Sequence, residues 1–199
     1  MIDLAEFAGA VGDADAGPVT ITGLGTRGGP VPGVRCVGAR AGIAWLQPDE
    51  MTVCCGAGTP VDDLVASLAE HRQTVALPAG GTVGGALSVG AADVRQLGWG
   101  PVRDTLLQAR YVSAGGEVVK AGGPTVKNVS GFDLCRLLVG SRGTLGFLGE
   151  VILRAMVLYD SGRQGNPADL SAALATLRAV GLEETARRAA LQLMLLKRG

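Results

Sequence analysis

Short apolar runs separated by glycine-rich breaks predict a chain of small strands and helices. Leu4–Ala10 predicts an opening helix, and Pro18–Thr22 a buried strand that ends at a glycine loop running on through Pro30, Pro32 and Gly33. Gly42–Gln47 and Met51–Gly56 read as strands around a turn at Pro48 and Asp49. A helix start follows, with Thr59 as cap, Pro60 at the first helical position and Asp62 where a capping box places a carboxylate. Val61, Leu64, Val65 and Leu68 then share one face of that helix. Thr74–Leu77 comes next as an apolar segment, and Ala86–Ala92 suits a tightly packed helix before the break at Gly98–Pro101. Leu106–Ser113 and Glu117–Ala121 form a hairpin pattern around Gly115 and Gly116. Asp133–Val139 predicts a short helix and Gly146–Leu158 a strand. The remainder turns helical: Asn166 and Pro167 open one helix, Gly181 closes it, and Glu183–Lys197 forms another. Leu193–Leu196 make a block wider than one stripe, which fits either packing into this domain or contact with a partner.

Composition narrows the class. Thirty-two of the 199 residues are glycine, well above the average of about 7%, yet 47% are hydrophobic and no collagen period exists. Such a chain folds rather than staying disordered, as one domain or one domain with a short appendage. Lys+Arg and Asp+Glu balance at 18 each, so no net field favours nucleic acid or acidic lipid. Cys36, Cys54, Cys55 and Cys135 show no C-x-x-C spacing and His71 has no nearby ligand partner, so no metal site is expected. The start has no secretory pattern, and no apolar stretch approaches the roughly 20 residues of a membrane span. A soluble cytoplasmic protein with free cysteines is the expectation.

Three glycine runs carry the candidate chemistry. Gly23-x-Gly25-x-x-Gly28 matches the letters of a dinucleotide fingerprint, but Pro30 and Pro32 prevent the helix that a nicotinamide site requires. What remains is a nest of backbone N–H groups for a phosphate, or, taken alone, a mobile surface loop. Pro78-Ala-Gly-Gly-Thr-Val-Gly-Gly85 holds four glycines where a turn needs one or two, and Thr82 adds a hydroxyl. Gly140–Gly146 is the third run. Asn128, Asp133, Ser141 and Thr144 around it suit ligand contact or local capping. Lys127, Arg103 and Arg142 could offset phosphate charge or face solvent, and Trp99 and Phe132 could stack on a planar ring or simply pack.

Together the Gly23–Gly29 loop, the Pro78–Gly85 run, Gly100-x-x-x-Asp104, and Lys127-Asn-x-x-Gly-Phe-Asp133 followed by Gly140-Ser-x-Gly-Thr-Leu-Gly146 resemble a known family. It is the FAD-binding domain of the vanillyl-alcohol oxidase/p-cresol methylhydroxylase (PCMH-type) flavoprotein superfamily, over roughly Pro18–Leu158. The Lys-Asn-x-x-Gly-Phe-Asp variant is most similar to the FAD-binding E-type subunit of glycolate oxidase. The resemblance implies an α+β, two-lobed fold: a small parallel-strand lobe, and a larger antiparallel sheet with flanking helices. Residues 1–158 would form the FAD-binding domain, and residues 159–199 a short helical tail in place of a cap domain. It also implies that FAD lies between the lobes. Its pyrophosphate would lie against Gly23, Gly25, Thr26, Arg27, Gly28 and Gly29 of the first run and Pro78, Gly80, Gly81, Thr82, Val83, Gly84 and Gly85 of the second, met by the backbone N–H groups of all of these but proline. Asn128, Gly131, Ser141, Gly143 and Thr144 would line the ribityl and adenosine side, and backbone near Val151 would meet the adenine. Many relatives carry an acidic residue where Arg142 stands, so no charge-based role carries over there. No covalent flavin link is implied.

The function so implied is a noncovalent FAD-binding subunit of a 2-hydroxy-acid oxidoreductase complex of glycolate or D-lactate type. Partners would be flavoprotein and iron–sulfur subunits, with any contact at the inner membrane made through them. Two alternatives stay open: an assembly scaffold without flavin, and a homodimeric stand-alone flavin oxidase. No catalytic base is assigned.

Overall fold

The computed structural model describes residues 1–91, 95–123, 133–157, 171, 174–175, 178–179 and 181–195. In chain order it contains α1 (Ala5–Val11), β1 (Val19–Thr22), β2 (Arg35–Gly38), β3 (Ile43–Gln47), β4 (Thr52–Gly56), α2 (Val61–Ala69), β5 (Gln73–Val75), α3 (Val83–Val89), α4 (Gln96–Trp99), β6 (Leu106–Val112), β7 (Val118–Gly122), α5 (Leu134–Leu138), β8 (Phe147–Val157) and α6 (Glu183–Leu195), with single 3-10 turns at Ala14–Ala16 and Val102–Asp104.

β8 organises the larger sheet. Seven of its eleven residues are buried, and it lies between β4 and β6, antiparallel to both, in the order β3-β4-β8-β6-β7. β5 pairs with the far end of β8, Gln73 opposite Val157. One face of this sheet is covered by helices. Val61, Leu64 and Leu68 of α2, Val83, Ala86 and Leu87 of α3, and Cys135 and Leu138 of α5 pack on Val53, Ala109, Val151 and Leu153. The second lobe is a two-stranded parallel sheet, β1 beside β2 with Val19 opposite Arg35. Leu4 at the cap of α1 and Phe7 and Val11 within it join Val37 and Val112 in a separate core beside it. The α+β, two-lobed expectation therefore holds, with the parallel lobe reduced to two strands among the described residues.

Local differences from the sequence pattern have physical causes. Thr59 does not cap α2; its hydroxyl donates to Gly56 O (2.7 Å) and accepts from Gly42 N (2.9 Å), and Pro60 takes the cap position. Asp62 likewise reaches across to accept from Gly80 N (3.2 Å) instead of closing a capping box. α3 starts three residues ahead of the expected Ala86, because the Thr82 hydroxyl caps it by accepting from Gly85 N (3.1 Å). The hairpin forms as expected, Gly116 N donating to Ser113 O (3.0 Å). Of the helix expected between Asn166 and Gly181, residues 171, 174–175 and 178–179 are described and are helical, and its start lies outside the described residues.

On the other face of β8 sits a charged group. Glu150 is 1% exposed, accepts from Arg110 Nη1 at 3.2 Å and also accepts from Ile2 N. Arg110 Nη1 in turn donates to Ile2 O (2.8 Å), so the pair holds both polar groups of one peptide residue and fixes α1 against the sheet. Gly149 allows that closeness, since a Cβ there would stand 2.8 Å from Leu4 Cδ2. Three of the four cysteines are buried and Cys36 is exposed. Burial, reinforced by the Glu150 charge, pushes the Cys54 thiol up to about 11. Burial chiefly, and then the Cys54 neighbour, pushes Cys55 up to about 12. Burial, with the Asp133 charge behind it, raises Cys135 to about 11.

Arg110→Met leaves the Glu150 carboxylate buried without its cation and costs about 3–5 kcal/mol in urea unfolding, whereas Arg110→Met with Glu150→Met recovers part of that loss. Native protein at pH 8 yields one thiol, Cys36, to a disulfide reagent, and four after unfolding. Because the folded state keeps thiol protons that the unfolded chain releases above its ordinary value of 9.0, this stabilisation is complete below pH 9 and is lost as pH rises through about 11. Urea midpoints measured from pH 8 to 11 fall if this holds and stay level if it does not.

Candidate functional site

Two glycine loops face each other across the seam between the lobes. The first, Gly23–Gly29, leaves the end of β1; the second, Pro78–Gly85, joins β5 to α3. They are tied together by one side chain. Arg27 Nη1 donates to Gly80 O (2.7 Å), and Nη2 donates to Ala79 O (3.0 Å) and Pro78 O (3.1 Å). Three carbonyls that would repel an anion are thereby turned onto a guanidinium. Gly81 makes the latch feasible: its φ is +68°, and a Cβ there would overlap both the Arg27 guanidinium and the Thr26 hydroxyl.

Between the loops lies a cleft of about 360 Å³, within the roughly 300–1,000 Å³ range of small-molecule sites. Gly23, Gly25, Thr26, Arg27, Gly28 and Gly29 line one wall; Thr82, Gly84 and Gly85 line another. The floor comes from residues that the glycine pattern did not single out: Ala39 after β2, Ala57 and Gly58 after β4, Ser88 and Val89 of α3, and Leu148 of β8. Arg142 completes the lining. Among the described residues the charged members are Arg27 and Arg142, and no carboxylate or histidine is included.

The walls approach so closely because methyl groups are missing. A Cβ on Gly84 would stand 2.9 Å from both the Cβ and the carbonyl oxygen of Ala57, and one on Gly23 would stand 2.7 Å from Thr82 Oγ1. The second run is also internally bonded. Val83 N donates to Thr59 O (2.8 Å), Gly84 N to Ala57 O (2.7 Å), Gly85 N to Thr82 Oγ1 and Gly80 N to Asp62. Those four amides are committed within the protein, so at Gly80, Val83, Gly84 and Gly85 this run supplies shape and close approach.

The other expected residues are placed as follows. Pro78 lies under the Arg27 latch, and Val83 is fully buried in the main core. Ser141 Oγ donates to Leu138 O (2.8 Å) and Thr144 Oγ1 donates to Ser141 O (2.7 Å), so both hydroxyls brace their own loop. Gly143 and Thr144 border a second cleft of about 230 Å³ between α1 and the start of β8, along with Val11, Asp13 and Phe147. Val151 is paired on both sides, with Cys55 and Ala109, in the middle of the sheet and away from either cleft. Asn128 and Gly131 lie outside the described residues. Among the described residues no group of three or more His, Cys, Asp or Glu side chains could hold a metal, and no helix is long and apolar enough to cross a membrane.

Known proteins point the same way as the cleft. A family model described as FAD binding domain matches residues 10–122. The chain is 35% identical over 155 residues to the glycolate oxidase subunit GlcE of Escherichia coli, covering 72% of this chain and 43% of that protein. It is 33% identical over 138 residues to a D-lactate dehydrogenase of Archaeoglobus fulgidus, covering 66% and 31%. With the glycolate oxidase subunit GlcD of Bacillus subtilis the identity is 40% over 73 residues, 37% of this chain and 16% of that one. The chain thus spans less than half the length of these relatives.

The close approach at Gly84 is testable without any ligand. Gly84→Val forces its side chain against the Ala57 backbone and destabilises by about 3 kcal/mol. Gly29→Ala meets nothing within 4 Å, and its unfolding free energy stays within about 0.5 kcal/mol of the parent. Chemical denaturation of both variants checks the pair.

Proposed function

The chain belongs to the PCMH-type FAD binding domain family, with FAD as its cofactor, and from that premise we propose that it is the noncovalent FAD-holding component of a 2-hydroxy-acid oxidoreductase. The observation that carries this reading is the latched cleft, glycine-walled and, among the described residues, bordered by two arginines and no acid. A pyrophosphate calls for that chemistry: close backbone approach and positive charge without competing carboxylates. Gly23–Gly29 and Thr82–Gly85 would hold the cofactor from opposite walls, and Arg27 would keep the two loops at a fixed separation.

When bound, FAD supplies the two-electron acceptor for oxidising a hydroxyl-bearing carbon beside a carboxylate. This chain's contribution is to bind the cofactor and orient it. Substrate class is suggested by the relatives, whose names include glycolate oxidase subunits and D-lactate dehydrogenases. Since no histidine or carboxylate is among the described residues lining the cleft, we assign the proton acceptor to a partner, in line with a complex that also contains flavoprotein and iron–sulfur subunits.

The test has two stages. Purified protein is mixed with FAD, desalted and scanned in the visible range; retained flavin bands are expected, and their absence overturns the reading. The loaded protein is then combined with partner subunits and given glycolate or D-lactate with an artificial electron acceptor. Turnover by the complex and none by the chain alone is the expected result, while equal turnover by the isolated chain would show that no partner is required.

A further inference from the structure

One side chain in the cleft has no counterpart for its charge. Arg142 lines the cleft opposite the two glycine loops, and its side chain is exposed there with no carboxylate or carbonyl acceptor among the described residues. Arg27, the other cation, has its guanidinium engaged with three carbonyls. The remaining polar side chains of the Arg142 loop are also engaged, Ser141 with Leu138 O and Thr144 with Ser141 O. The backbone places Arg142 deliberately: its N–H donates to Ser88 O (2.8 Å) on α3, and its φ is +54°, a left-handed conformation that a side chain disfavours. Met51 and Arg72 share this conformation and do not line the cleft, so it is the place of Arg142 in the lining, with its charge unengaged, that argues for a role.

Resting on the reading that the cleft holds FAD, we propose that Arg142 is a phosphate-reading residue, its guanidinium pairing with the pyrophosphate oxygens and making affinity depend on that anion. A planar guanidinium can donate two parallel hydrogen bonds to one phosphate, which an ammonium cannot. In a cleft open to solvent, such a contact weakens as salt screens it. The ligand chemistry is thus a pyrophosphate, which FAD carries as a diester and ADP as a monoester.

The experiment uses the full chain and its Arg142→Gly and Arg142→Lys variants, titrated with FAD and with ADP at low and high salt. Glycine accepts the left-handed backbone without strain, so Arg142→Gly should melt no lower than the parent while binding FAD and ADP about tenfold more weakly, a loss of about 1.4 kcal/mol. Arg142→Lys should fall between them. The salt dependence of the parent should flatten in the glycine variant. If Arg142→Gly binds both ligands like the parent, or loses affinity for FAD while keeping it for ADP, the proposal is overturned although the cofactor reading survives. If the parent itself binds neither ligand, both are overturned.

Discussion

The two lobes meet backbone against backbone, and everything at the cleft depends on that contact. Gly58 lies so close to the Ala39 carbonyl that a Cβ would overlap it, and Gly56 stands in the same relation to Arg40. Within the larger lobe Gly84 lies against Ala57. These contacts bring the end of β4, the segment after β2 and the start of α3 within one layer of atoms. No side chain separates them. A cleft floored in this way has its shape set by main-chain geometry, which changes little when side chains switch rotamer.

Electrostatics is layered on that geometry in two different ways. Arg27 spends its hydrogen-bonding capacity on carbonyls and so acts as a structural tie. Glu150 and Arg110 do something comparable on the opposite face of the sheet, where a buried charge pair grips the Ile2 peptide. In both places a charged side chain holds main chain rather than another surface charge. The cleft is therefore bordered by positive charge on a frame that is already hydrogen-bonded internally.

Much of this frame was legible in the sequence because it follows short-range rules. β8 is a long apolar run, the hairpin turns at Gly115 and Gly116, and three glycine runs stand out against their surroundings. β2 escaped, since Arg35–Gly38 buries only Val37 and owes its strand conformation to pairing with β1. Thr59 and Asp62 obey the local capping pattern in sequence, yet their side chains serve Gly42, Gly56 and Gly80, residues near only after folding. The same holds for the cleft floor. Ala39, Ser88 and Leu148 carry no signature of their own and become lining residues through the contact of distant segments. Val151, expected near the ligand, lies in the sheet centre because β8 is paired along both edges.

The position of β8 also governs the order in which the chain can fold. β4 and β6 are separated by it and pair with it rather than with each other. As the chain leaves the ribosome, both strands wait with open edges through the synthesis of everything up to Phe147, and the core beneath α2 and α3 lacks Val151 and Leu153. Such long-range closure slows folding and leaves edges exposed for other chains to pair with. Until β8 is in place, those edges stay open to pairing with other chains.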